Sequence, residues 1–368
     1  MGRLFSSPST DGYRSVGEDQ RHLATIIMYP ERCDIWRNEA KHAQDLIIHI
    51  ANTIIEFEPV LMCVKPHMVE EVRYRLNSHI KIFAVEYDDI WTRDIGPNFV
   101  VKDGNLRAVN WQFNAWGGLE DGAYYPWNND DAFAIRLSDY LGIDYYNVED
   151  VVLEGGGVIT DSAGTLITTE SVLLNKNRNP HKSKSYIETC LKQYYNADKV
   201  IWLPQGLELD ETNGHIDNVC AFVGDGEVNI AYTEDKNNIQ YNVLQTVYKI
   251  LRKETDAKGN ELIIHKLPLP TAQFITKEES AGILQTSSST NRVEGFELVP
   301  SYLNYYLING GVLVPSFGCD ADDKVKMEMS KIFPNREVIL IPSKEILIGG
   351  GGFHCIMHEI PYASNIKW

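Results

Sequence analysis

Cysteine is scarce and scattered in this chain of 368 residues: the six, at 33, 63, 190, 220, 319 and 355, include no C-x-x-C pair. That argues against a disulfide-framed domain and leaves no zinc-type ligand cluster, so no metal is expected. No apolar run is long enough to span a membrane, and no secretory segment is recognisable. Reduced thiols and a cytoplasmic location are the expectation. The opening Met1-Gly2-Arg3-Leu4-Phe5-Ser6 fits the short N-myristoylation pattern. No polybasic patch accompanies it, however, and one acyl chain anchors weakly. Basic residues are in deficit: 34 Lys and Arg face 51 Asp and Glu, a formal net charge of −17. A field of that sign argues against nucleic acid and favours small cationic partners.

What is present is a repeated order of elements. Residues 1–21 are polar, with Ser and Asp-Gly, and predict a flexible N-terminal arm. Residues 22–368 predict one α/β catalytic domain. Two apolar runs around a tight turn, then a helix, then a short strand, recur from residue 95 onward. The hairpins are expected at 95–113, 157–173, 216–232 and 302–315, with turns at Asp103-Gly104, Ala163-Gly164, Asp225-Gly226 and Asn309-Gly310. Helices are expected at 130–141, 183–195, 238–252 and 322–333. A fifth unit begins near Cys355, and its missing helix and strand match 36–57 and 60–64. This predicts a closed ring whose last unit is completed by the N-terminal segment, which removes free sheet edges. The longest irregular stretches, 114–129 and 273–300, are candidate rims over a site.

Chemically capable residues cluster just before the first strand of these units. They are Trp91-Thr92-Arg93-Asp94, Leu153-Glu154-Gly155-Gly156-Gly157, Glu211-Thr212-Asn213-Gly214-His215-Ile216-Asp217 and Gly349-Gly350-Gly351-Gly352-Phe353-His354-Cys355. Taken singly, a buried free cysteine is usually a small apolar residue and acidic turns are usually solvated. Recurrence at one end of each unit lifts the set above that reading. Around a ring axis it would gather Cys355, His215, Asp94, Glu154 and Asp217, walled by Trp91 and Trp116. His215 and Asp217, two apart on an expected strand, would share a face. Arg93, beside Asp94 in an extended segment, would point away. Carboxylates near a thiol raise its pKa, which helps only if the substrate is itself a cation. A guanidinium is planar, carries five N–H donors and is bound bidentately by carboxylates. The set therefore describes a guanidinium pocket with a thiol aimed at the central carbon.

At these residues the sequence resembles the agmatine deiminases, within the guanidine-modifying (pentein) superfamily. Phe113-Asn114-Ala115-Trp116-Gly117, Lys176-Asn177-Arg178-Asn179-Pro180 and Ser301-Tyr302-Leu303-Asn304-Tyr305 add weaker matches in the same order. The resemblance implies a five-unit α/β propeller of pseudo-fivefold ββαβ repeats. It implies hydrolysis of agmatine to N-carbamoylputrescine and ammonia, in polyamine (putrescine) metabolism, through a covalent S-alkyl thiouronium and without a cofactor. Cys355 would be the nucleophile and His215 the general acid and base, partnered by Glu154. Asp94 and Asp217 would clamp the guanidinium. Trp91, Trp116, Glu211, Asn213 and Gly352 would bind substrate, with Glu211 facing the far ammonium. A homo-oligomer is also implied. Three departures stand out: Gly352 where many relatives have Asn, Met357-His358-Glu359 in place of Thr-Gln-Gln, and a segment 286–295 without the relatives' clear basic, glycine-containing pattern. Two other readings remain: an arginine or peptidyl-arginine deiminase on the same fold, and a non-catalytic ring-shaped binding module. The presence of all five reactive residues argues against the second.

Overall fold

The computed structural model describes residues 2–366 and 368; Met1 and Lys367 lie outside the described residues. Five of its sheets share one construction: an antiparallel hairpin, a helix, then a strand added in parallel to the second strand of the hairpin. The first joins Asn98–Lys102, Asn105–Gln112 and Tyr145–Val152, with helix Phe133–Leu141 between the last two. Val158–Thr160, Thr165–Thr169 and Lys199–Leu203 repeat it, as do Cys220–Gly224, Glu227–Ala231 and Ile263–Leu267. Tyr306–Ile308, Gly311–Ser316 and Glu337–Pro342 form the fourth. In the fifth, Met357–Pro361 pairs antiparallel with His22–Met28, which runs parallel to Val60–Val64. The N-terminal segment does complete the last unit.

Local chemistry accounts for these elements. Helix Lys41–Ile54 buries Ala43, Ile47, Ile50, Ala51 and Ile54 at helical spacing, one apolar stripe against its sheet. Val60–Val64 is apolar at every position and buried throughout, as a strand between two others covered on both faces must be. The helix predicted over 36–57 is shorter because Asn38, Glu39 and Ala40 have φ of 52°, 56° and 63°, which no helix accommodates. Trp36 turns inward there, and its indole N–H donates to Asp89 Oδ1 at 2.8 Å.

Two expectations are corrected. The strands predicted to begin at 95, 157 and 216 begin at Asn98, Val158 and Cys220. One-turn helices precede them: Thr92–Ile95, Gly155–Gly157 and Ile216–Asn218; His354–Ile356 does the same before Met357. His215 and Asp217 therefore converge through a turn, not through a shared strand face. The residues predicted as a flexible arm are packed against the body. Arg3–Leu4 pairs with Tyr145 and Tyr146, Arg14 bridges to Val101, and Ser7, Tyr13 and Ser15 are buried. Their polarity is spent on a helix cap at Ser7 and on Asp11, which accepts from Arg107 and Tyr146. Among the described residues no helix is long and apolar enough to cross a membrane.

Candidate active site

The one-turn helices place the polar side chains. Asp94, on the turn Thr92–Ile95, accepts from the Gly156 N–H through Oδ1 and from the Trp116 indole through Oδ2, both at 2.8 Å. The buried His215 ring sits between two carboxylates, with Nδ1 3.9 Å from Asp94 Oδ1 and Nε2 3.5 Å from Glu154 Oε2. Glu154 takes the Arg178 Nε–H at 2.7 Å, and both side chains are wholly buried. Gly156 is where these groups meet. A β-carbon there would lie 2.6 Å from His215 Nδ1, 2.8 Å from Asp217 Oδ2 and 2.9 Å from Asp94 Oδ1. Gly156→Ala is expected to lower kcat/KM at least about tenfold by displacing these groups while the protein stays folded. Activity and thermal melting of the variant check this; unchanged kinetics would show that the three side chains are not fixed by their convergence.

Cys355 lies on the turn His354–Ile356 and is buried. Its Sγ is 3.4 Å from the Gly352 N and 3.7 Å from both Asp217 Oδ2 and Asn304 Nδ2. Asn304 Oδ1 accepts the His354 N–H at 2.7 Å and also lies 3.7 Å from the sulfur. Gly352 makes room for this: a β-carbon there would stand 2.0 Å from Asn304 Oδ1. Asp217 Oδ2 is 3.0 Å from His354 Nδ1, and Oδ1, buried, has no partner.

Burial and the carboxylates decide the charge states. Burial pushes the Cys355 thiol well above its ordinary value, and Asp217 and Asp94 push it further. Burial also raises Asp94, and the neighbouring Asp217 and Glu154 add to it against the opposing pull of His215. For Glu154 burial is outweighed by Arg178 and His215, which hold it down at about 2. For His215 burial is outweighed by Asp94, Glu154 and Asp217, which lift it to about 9. At neutral pH the resting site thus pairs a thiol with an imidazolium.

Asp94 and Cys355 line a cleft of about 450 Å³ together with Trp91, Trp116, Tyr124, Glu211 and Arg292, among others. Both irregular stretches form its rim, joined by the Thr290 N–H to Ala123 O at 2.9 Å and by a bridge between Tyr124 and Ser289. The structure thus gathers Cys355, His215, Asp94, Asp217 and Glu154, and brings Trp91, Trp116 and Glu211 to the cleft. Gly352 lines an adjoining cavity with Cys355. Asn213 does not line the cleft: its Oδ1 accepts from Arg178 at 2.6 Å and its Nδ2 donates to Asp121 at 3.0 Å. Both polar atoms of its amide are thus engaged within the protein. Arg93 does face away, though on a helical turn, with Nη2 2.6 Å from Glu359 Oε2.

Sequence reasoning missed Arg292, Asn304, His354, Glu18 and Arg178 as parts of the site. Arg292 comes from the segment that resisted interpretation, is nearly buried, and bonds Glu211 Oε1 and the Gly349 carbonyl. The sequence signal for Arg178 and Asn304 was their place in the weaker motifs; for His354 it was adjacency to Cys355.

The arrangement suits a flat cation. Anionic oxygens on Asp94 and Asp217 stand beside a sulfur, and an imidazolium behind them can exchange a proton. Comparison with known proteins agrees. A sequence model of the Porphyromonas-type peptidyl-arginine deiminases matches residues 14–361. The chain is 42% identical over 363 residues to an agmatine deiminase of Pseudomonas aeruginosa, covering 98% of this chain and 99% of that one. It matches an agmatine deiminase of Ectopseudomonas mendocina at 42% over the same shares. The solved structure of the agmatine deiminase of Enterococcus faecalis superposes with a TM-score of 0.95 at 38% identity, over 98% of this chain and all of that one.

Proposed function

The chain belongs to the Porphyromonas-type peptidyl-arginine deiminase family, and from that premise we propose that its cleft deiminates agmatine. The enzyme is a hydrolase of the guanidino C–N bond, converting agmatine and water to N-carbamoylputrescine and ammonia, a step in polyamine metabolism. The observation that carries this reading is the grouping of Cys355 and Asp94, which line the cleft, with the buried Asp217 and His215. The five sheets of one construction support a five-unit α/β propeller. The reading extends to a homo-oligomer in the cytoplasm, where six unpaired cysteines fit a reducing compartment; sedimentation at several concentrations tests the oligomer.

The guanidinium lies between Asp94 and Asp217, giving its N–H groups to their carboxylates. Its charge offsets the anions that hold the thiol up, so the thiol proton passes to solvent and Cys355 Sγ bonds to the central carbon as the C=N π pair moves onto nitrogen. The neutral tetrahedral adduct takes a proton from the His215 imidazolium on one NH2. The C–N bond breaks, ammonia leaves, and a cationic S-alkyl thiouronium remains. His215, now neutral and oriented by Glu154, takes a proton from water as the oxygen bonds to the same carbon. The C–S bond then breaks, the proton of the new hydroxyl passes to the departing sulfur as the carbonyl forms, and the resting thiol and imidazolium are restored.

Agmatine has an ammonium at its far end where arginine adds a carboxylate. Glu211 stands at the cleft for that ammonium, with Trp91 along the methylene chain. Arg292 is the observation that favours arginine or a peptidyl arginine instead, since a guanidinium binds carboxylate bidentately. It is already engaged by Glu211 and Gly349, which argues for agmatine. In the wild type kcat/KM is expected to be highest for agmatine, and Glu211→Gln is expected to lower it at least about tenfold, one charge-assisted contact. Arginine or a peptidyl arginine turning over faster than agmatine would reject the substrate; an unchanged Glu211→Gln would remove only Glu211.

A further inference from the structure

Asp217 is held from behind by a chain that begins in the N-terminal segment. Glu18 Oε2 lies 2.9 Å from His354 Nε2, and His354 Nδ1 lies 3.0 Å from Asp217 Oδ2. His354 is buried, and both ring nitrogens meet carboxylate oxygens, an arrangement that an imidazolium fills with two donated hydrogen bonds. Asp217 Oδ2, which also lies 3.7 Å from Cys355 Sγ, is thereby held, and its buried Oδ1 has no hydrogen-bond partner among the described residues. Glu18 itself is fixed by Arg93, 3.2 Å from its Oε1. A second cavity is lined by Glu18, Asp217 and His354 together.

We propose that Glu18 and His354 are positioning residues for the deimination: a cationic His354, locked by Glu18, pins Asp217 through Oδ2 and so fixes its carboxylate beside Cys355 for the guanidinium. This rests on Asp217 being a guanidinium clamp. The N-terminal segment is then part of the catalytic apparatus. The groups facing His354 are Glu18 from that segment, Asp217 from the turn Ile216–Asn218, Arg93 from the turn Thr92–Ile95, the neighbouring Cys355 and the ring of Tyr306 at 6.4 Å. Burial and Arg93 press the imidazole toward neutrality, while Glu18 and Asp217 outweigh them and lift it to about 9.

His354 precedes the one cysteine that follows a histidine in this chain, so paired isotope labels assign its ring by NMR in the wild-type protein. It is expected to stay doubly protonated through neutral pH; a neutral ring at pH 7 overturns the proposal without any variant. In Glu18→Gln the His354 titration is expected to move to lower pH, and the alkaline limb of kcat/KM for agmatine to move with it. His354→Gln is expected to lower kcat/KM at least about tenfold, mainly through KM, at unchanged circular dichroism. If Asp217→Asn abolishes activity while Glu18→Gln and His354→Gln keep the wild-type pH profile and kcat/KM, the positioning role is wrong and the clamp stands. An active Asp217→Asn sinks the clamp itself.

Discussion

Cys355→Ala is expected to lower kcat by at least about ten-thousandfold with agmatine while the fold is kept, because the removed atom forms the bond that replaces C–N. The wild type, mixed with agmatine and quenched in acid, is expected to show added mass equal to agmatine less ammonia, localised to the peptide bearing Cys355. His215→Ala is expected to form that adduct slowly and to retain it, since neither the leaving nitrogen nor the attacking water then has its proton partner. Turnover at the wild-type rate by Cys355→Ala would end the nucleophile assignment. Rapid turnover by His215→Ala would move the proton work to another group.

Arg178→Met is expected to destabilise the protein by about 3–5 kcal/mol, the cost of leaving one member of a buried ion pair without the other. Arg178 reaches Glu154 Oε1 at 2.7 Å, Asn213 Oδ1 at 2.6 Å and the Thr212 carbonyl at 2.8 Å. Arg178→Lys should not restore this, because an ammonium lacks the planar fork that meets three acceptors at once. Urea unfolding measures the loss; a change below about 1 kcal/mol would mean that water reaches the pair. The same network fixes the pH dependence of stability. Glu154, held down from 4.5 to about 2, stabilises the fold above pH 4.5, and that contribution is lost as pH falls through 2. His215, lifted from 6.5 to about 9, contributes fully below 6.5 and loses its contribution as pH rises through 9. The joint contribution of Glu154 and His215 is therefore greatest between pH 4.5 and 6.5 and declines on both sides.

The sequence made the hairpins and helices readable because their signals are local: Asp-Gly and Asn-Gly turns, apolar residues at helical spacing, and continuous apolar strands. The gathering of Cys355, His215, Asp94, Glu154 and Asp217 was readable for a different reason, since each falls at the same place in a repeated unit. The one-turn helices were not readable. Thr92–Ile95 and Ile216–Asn218 are too short for periodicity to separate from the strands that follow. Nor was the pairing of Glu211 with Arg292, or of Glu18 with His354. Each joins residues remote in sequence, and nothing near either partner names the other. The N-terminal segment misled through composition: its polar residues resemble a solvated arm, yet Asp11 and Glu18 are bound by Arg107 and Arg93.

The strand Met357–Pro361 that follows Cys355 pairs with His22–Met28 across most of the sequence. During synthesis the first of these strands is made early and waits, one edge open, for the other. A chain that closes so late has a high contact order and folds slowly, with the waiting edge exposed to other chains. The thiol arrives with the closing strand. Under the proposed function, activity is thereby tied to completion: until Met357–Pro361 is made, the nascent polypeptide has its aspartates and histidine but lacks the proposed nucleophile.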